Sequence, residues 1–145
     1  MESKGKFWHV SDKRRLLLAM MEEFAGDAHI SFEGDLSTLP LSSIPGASQE
    51  ETGVLRRNTL WPKQDFIVLP LEPSTSKTII SAIGGTVPNA IIHIQIEKCG
   101  TLQFAVYDNF HSQCIIFHST AKPAFFESLV SESIMRPYTE RPPRH

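Results

Sequence analysis

The chain has 145 residues, 41% of them hydrophobic, and carries 14 lysines and arginines against 16 aspartates and glutamates, a formal net charge of −2. This size and mix fit one globular domain, and the near-neutral balance supplies neither the basic field of a wholesale nucleic-acid binder nor attraction to an anionic membrane surface. The longest apolar runs are far too short to span a bilayer, and the polar start "MESKGKFWHV" with the short run "LLLAMM" lacks the layout of a signal peptide, so a soluble cytoplasmic protein is expected.

The first helix is predicted from a cap at Ser11 through "KRRLLLAMMEEFAG" to Gly26. Leu17, Leu18, Met21 and Phe24 recur at helical spacing and mark a core face. Its charges run against the helix dipole: Lys13, Arg14 and Arg15 lie at the positive end, Glu22 and Glu23 at the negative end. A binding surface or a solvated face with compensating neighbours would each account for this. A short strand follows over residues 28 to 33, then "GDLSTLPLSSIPGASQEETG", a loop long enough to be functional or disordered, whose Leu36, Leu39, Leu41 and Ile44 point to a loop folded back on the body. "GVLRRNTLWPKQ" leads into "DFIVLPLE", an apolar strand covered on both faces, with Pro70 near its end.

After Pro73, "STSKTIISAIGG" reads as a short helix stopped by Gly84 and Gly85. This Gly-rich stretch closes a helix and opens none, so it lacks the geometry of a phosphate cradle. Three strands form a meander over residues 89 to 97, 101 to 108 and 114 to 118. The last helix is expected over "AKPAFFESLVSESIM", with Phe125, Phe126, Leu129, Val130 and Ile134 on its apolar face, and residues 136–145 form a mobile tail after a single domain over 1–135. The class is therefore α+β: a mainly antiparallel five-stranded sheet flanked by three helices, in the order α-β-(long loop)-β-α-β-β-β-α. This element order resembles the roadblock and profilin type of architecture, which implies helices flanking one five-stranded sheet; no motif accompanies it and no residue is carried over.

The stretch "IIHIQIEKC" alternates Ile92, Ile94 and Ile96 with His93, Gln95 and Glu97. A three-residue turn at Lys98, Cys99 and Gly100 keeps the parity, setting Ile96 against Leu102 and Ile94 against Phe104, whereas a two-residue turn mixes the faces. In the second hairpin one register sets His118 opposite Gln103. His93, Gln95 and Glu97 are then read as the solvated side of the sheet. His93 and Glu97 lie roughly 13 Å apart along an extended strand and cannot share a metal ion. Only His29 and Glu33, on a strand beside residues 91 to 97, would complete a compact site.

"YDNFHSQC" gathers Asp108, His111 and Cys114, the residue types of a thiol nucleophile, although ordinary turn composition yields the same letters. Cys99 and Cys114 belong to no C-x-x-C pair and are read as reduced thiols. In "LRRNTLWPK", Trp61 with Arg56, Arg57 and Lys63 could stack a base and hold phosphate; the alternative packs Trp61 into the core beside Pro62 and pairs the arginines with Glu50 and Glu51. The leading reading is a non-catalytic, regulatory protein-binding module, of inhibitor, immunity or adaptor kind, with self-association open and no cofactor. Leu39, Leu41 and Ile44 of the loop would supply apolar contacts, and His93, Gln95 and Glu97 hydrogen bonds. The alternatives are a small hydrolase using His29, Glu33, His93 or Asp108, and a nucleic-acid binder using Arg56, Arg57 and Trp61.

Overall fold

The computed structural model describes residues 7–118 and 122–138. In chain order the elements are β1 (Phe7–Val10), α1 (Lys13–Phe24), β2 (Ala28–Gly34), β3 (Asp65–Leu71), α2 (Ser76–Ile83), β4 (Ile91–Lys98), β5 (Thr101–Val106), β6 (Ile115–Phe117), α3 (Pro123–Ser131) and β7 (Met135–Tyr138). The fold is α+β, with a five-stranded antiparallel sheet in the order β3-β2-β4-β5-β6 and a small β1–β7 ladder beside it. Among the described residues no helix is long and apolar enough to cross a membrane.

Strand alternation sorts the large sheet into two faces. One face presents Ile30, Phe32, Ile67, Leu69, Ile94, Ile96, Phe104 and Val106, which join α1 and α2 in one continuous core. Burying each such side chain stabilises the fold by roughly 1.5–3 kcal/mol. Helix α1 contributes Leu16, Leu17, Met20, Met21 and Phe24, all buried, while Leu18 is only partly covered. Its cap is Asp12, one residue beyond the expected Ser11: the Asp12 Oδ1 accepts from the Arg15 N–H at 3.0 Å.

The inverted charges of α1 have a structural use. Arg14 Nε donates to the carbonyl of Gly84, the residue that ends α2, at 2.8 Å, and Arg15 pairs with Glu132 just past the end of α3. Cations are favourable at helix C-termini, so the basic start of one helix serves the ends of two others. The C-terminus of α1 is served in turn by Lys98, whose Nζ donates to the carbonyls of Phe24, Ala25 and Gly26 at 3.2, 3.1 and 2.6 Å.

Three local readings change. The β4–β5 turn has two residues, not three: Lys98 faces Thr101, and Cys99 and Gly100 both have positive φ, 52° and 81°. That is the mirror-image turn whose twist suits a hairpin. Parity is recovered by a bulge, since Glu97 faces Leu102 but Ile96 faces Phe104, leaving Gln103 as the extra residue. The second hairpin has the expected register, with the His118 N–H donating to the Gln103 carbonyl at 2.9 Å. Helix α3 ends at Ser131; Ser133 adopts φ 60°, and buried Ile134 and Met135 leave the helix to enter and begin β7. Arg136–Tyr138, expected in the tail, therefore pair with Phe7–Trp8–His9, and residues 139–145 lie outside the described residues.

Gly34 marks a close approach between the end of β2 and the chain entering β4. A Cβ there would lie 2.0 Å from the Ala90 carbonyl oxygen, so only glycine fits the register shift that ends this pairing.

Candidate functional site

The second face of the sheet carries His29, Ser31 and Glu33 on β2 and His93, Gln95 and Glu97 on β4. The β2–β4 register sets them in cross-strand pairs: His29 against Glu97, Ser31 against Gln95, Glu33 against His93. The expectation of a solvated row is wrong for most of it. Relative exposures are 1% for Glu33, 5% for His93, 5% for Gln95 and 8% for Glu97, with only His29 reaching water. Over Glu33, His93 and Gln95 runs the segment 49–60, an irregular strap anchored by Leu55 in a second small core with Phe66 and Val68, while Glu97 is engaged by His29 and the Gly100 N–H.

The strap forms no ladder of its own, so its backbone N–H groups need acceptors. Six consecutive ones find side chains, those of Val54 and Leu55 both at Thr52 Oγ1. Arg56 N–H donates to Gln95 Oε1 (3.1 Å), Arg57 N–H to Glu51 Oε1 (2.6 Å), Asn58 N–H to Glu33 Oε1 (2.7 Å) and Thr59 N–H to Glu33 Oε2 (3.1 Å). Gln95 also accepts from Ser31 Oγ and donates through Nε2 to Tyr107 Oη, which fixes its amide orientation. His93 accepts the Asp108 N–H at Nδ1 (3.2 Å), so its proton sits on Nε2 and is donated to Thr59 Oγ1 (2.8 Å). The row of acceptors, read as a recognition surface, binds the protein's own backbone.

The hydrolase residues are spoken for in the same way. Both oxygens of Glu33 and both ring nitrogens of His93 are engaged, and His29 Nδ1 lies 2.7 Å from Glu97 Oε1. The strand of His29 and Glu33 does lie beside β4, yet among the described residues no group of three or more His, Cys, Asp or Glu is placed to hold a metal ion. In the 108–114 turn, Cys114 Sγ lies 3.8 Å from Asp108 Oδ2. Burial pushes the Cys114 thiol up, and the neighbouring Asp108 carboxylate adds to the rise, the reverse of what activates a nucleophile. His111 turns its Nδ1 to the Gln113 N–H. Asp108, Asn109 and Phe110 all take positive φ (51°, 56° and 62°), and Lys13 braces this tight turn from Asn109 Oδ1 and the Phe110 ring.

The loop residues lie mainly inside. Leu41 and Ile44 are buried in the main core and Leu39 packs against it, so they hold the loop to the body and leave little apolar surface for a partner. The most exposed large apolar groups among the described residues lie further on, where the strap turns into β3: Leu60 is 93% exposed and Trp61 86%. Packing of Trp61 into the core is thus overturned; Pro62 follows it in the bend and carries it outward. Around this knuckle is a hollow of about 570 Å³ lined by Glu51, Arg56, Arg57, Thr59, Leu60, Trp61 and Lys63. Arg56 pairs with Glu51 at 3.6 Å, as the sequence allowed, and Arg57 lies over the Phe66 ring, Cζ 5.1 Å from its centroid. The Glu51 carboxyl is held below its ordinary range, first by the Arg57 N–H and further by the Arg56 charge.

The structure thus brings Arg56, Arg57 and Trp61 together around one hollow, with Ile44 apart in the main core and the polar row beneath, joined to this segment by the Arg56 N–H on Gln95. Leu60 is the residue that sequence reasoning missed; its signal was the solitary apolar pair "LW" held between polar "RRNT" and "PKQ". Comparison of the chain with protein-family models, with curated proteins and with solved structures found no match.

Proposed function

We propose that the chain is a non-catalytic protein-binding module whose contact surface is the Leu60–Trp61 knuckle. The observation that carries this reading is the exposure of two adjacent large apolar side chains, 93% and 86%, at the end of a strap held to the sheet by three amide bonds, to Gln95 and Glu33. Exposed Trp beside a cation is the composition of an interface anchor, and a fixed backbone lowers the entropy lost on docking. The partner that fits is a protein with an apolar pocket rimmed by carboxylates, which the Lys63 ammonium and the Arg56 and Arg57 side chains would face. Regulatory or adaptor roles, and a reducing compartment such as the cytoplasm, accord with a small module bearing two free thiols.

A nucleic-acid reading draws on the same exposure of Trp61 beside three cations. It is the weaker one, because the chain's net charge is −2 and Leu60 offers a phosphate backbone nothing.

The test is capture from the native host on immobilised full-length chain and on its Trp61→Ala variant, together with sedimentation of both. A partner, or a second copy, that is retained by the first and weakened about thirtyfold or more by Trp61→Ala, roughly 2 kcal/mol, would support the reading. Equal retention by a variant that melts like the parent would overturn it, as would Trp61-dependent retention of RNA in place of protein.

A further inference from the structure

A separate concavity of about 540 Å³ opens between the 36–42 turn, the strap and the start of β3. Its volume is that of small-molecule sites, roughly 300–1,000 Å³. Two cations line it, Arg57 and Lys63, against one carboxylate, Asp65, whose Oδ2 already accepts the Leu36 N–H at 3.0 Å. Neither Arg57 nor Lys63 forms a side-chain ion pair among the described residues, whereas Arg56 next door is paired with Glu51.

The Arg57 guanidinium lies over the Phe66 ring, and its Nε–H is buried without an acceptor among the described residues. A buried donor left without an acceptor costs about 1–3 kcal/mol. Arg57, which lines the cleft, therefore carries a donor that no acceptor among the described residues meets. Ser42, Gln49 and Gln64 add hydroxyl and amide groups to the lining.

We propose that this cleft binds a small organic anion, one of whose oxyanion groups, carboxylate or phosphate, accepts from Arg57 and lies against the Lys63 ammonium. A guanidinium fork matches the spacing of two oxygens on either group, and the ring beneath it fixes the fork before the ligand arrives. The remaining hydroxyl and amide groups would select the rest of the molecule. The site does not depend on protein docking at the knuckle; it shares Arg57 and Lys63 with that hollow but not Leu60 or Trp61.

The full chain, labelled with ¹⁵N, is titrated separately with citrate and with inorganic phosphate while the arginine Nε–H resonances are followed. The expected result is a saturable shift of the Arg57 resonance with at least one probe, and which probe acts tells a carboxylate ligand from a phosphate ligand. Arg57→Lys, which loses the fork and one charged hydrogen bond, should weaken binding about tenfold or more. Lys63→Gln, at an exposed position that leaves folding intact, should weaken it several-fold, while Arg56→Gln and Trp61→Ala leave it unchanged. No saturable shift with either probe at about 20 mM, far above the ~1 mM of weak specific sites, would overturn the proposal. So would equal weakening by Arg56→Gln, which would mean a diffuse charge effect, or far tighter binding of a single-stranded oligonucleotide with quenching of Trp61.

Discussion

Replacing Glu33 by Gln tests whether the buried polar row holds the strap. The change is isosteric and leaves one oxygen in place, so one of the two amides, Asn58 or Thr59, keeps its acceptor while the other faces an NH₂ group. Glu33 is 1% exposed, so water cannot readily take over the lost bond. A hydrogen bond to a charged acceptor contributes about 1.5–3 kcal/mol, and the opposed donors add to the cost, giving roughly 2–3 kcal/mol in all. That corresponds to roughly a 30- to 150-fold rise in the open population of the strap. Arg56 and Arg57 lie on the strap itself, so trypsin reports the opening directly, provided reclosing outruns cleavage. Glu33→Gln should be cut at these arginines faster by that factor, with amide exchange at Asn58 and Thr59 accelerated to match. Glu23→Gln, on the exposed side of α1, serves as the control. A cleavage rate within threefold of the parent, at unchanged urea midpoint, would refute the idea that these carboxylate bonds fasten the strap.

Two further outcomes follow from the helix ends and the thiols. Lys98→Met keeps the aliphatic stem but removes the donors to three carbonyls at the end of α1; a loss of roughly 1–2 kcal/mol is expected, read as a fall in Tm of about 3–8 °C, and an unchanged Tm would show that water caps the helix equally well. With iodoacetamide near neutral pH, exposed Cys99 should be labelled first and Cys114 should lag, because burial and then Asp108 hold its thiol protonated to higher pH; Asp108→Asn should speed Cys114 alone, and labelling of Cys114 ahead of Cys99 by mass spectrometry would contradict this.

The legible parts of the fold are those where one period governs a whole segment. Ile92, Ile94 and Ile96 alternate, Leu17, Met21 and Phe24 recur at helical spacing, and both patterns sit where the structure puts β4 and α1. The turn after β4 was misread because strict alternation was assumed to run through it. A bulge at Gln103 restores the parity that a two-residue turn breaks, and Cys99 is not a residue that advertises positive φ. The β1–β7 ladder escaped notice for another reason. Its strands have four residues each, one of them contains Pro137, and they acquire a partner only when the two ends of the chain meet. The charges of α1 were legible as an anomaly, but their resolution lies in carbonyls of Gly84 and Glu132, remote in sequence.

The polar row was misread by a sound rule applied without its exception. Polar residues alternating with isoleucines on an antiparallel strand ordinarily face water, and nothing periodic in "EETGVLRRNTL" announces that it crosses that face. Yet the chemistry of the row carries a clue: Glu33, Gln95 and His93 offer acceptors, and a segment with neither helix nor strand pattern has unmet donors. Acceptors without ladder partners and donors without ladder partners solve each other, which is what the amide bonds of Arg56, Asn58 and Thr59 to Gln95 and Glu33 do. That solution bears on the knuckle. A chain bonded to the sheet through Thr59 and resumed as a strand at Asp65 leaves few residues to turn in, and Leu60 and Trp61 stand exposed in that turn beside Pro62. Trp61 in water forgoes burial worth roughly 1.5–3 kcal/mol for a large apolar side chain. A knuckle that floppy loops would fold away is instead kept exposed by a buried scaffold, and covering it on a partner regains that energy without the cost of ordering the backbone.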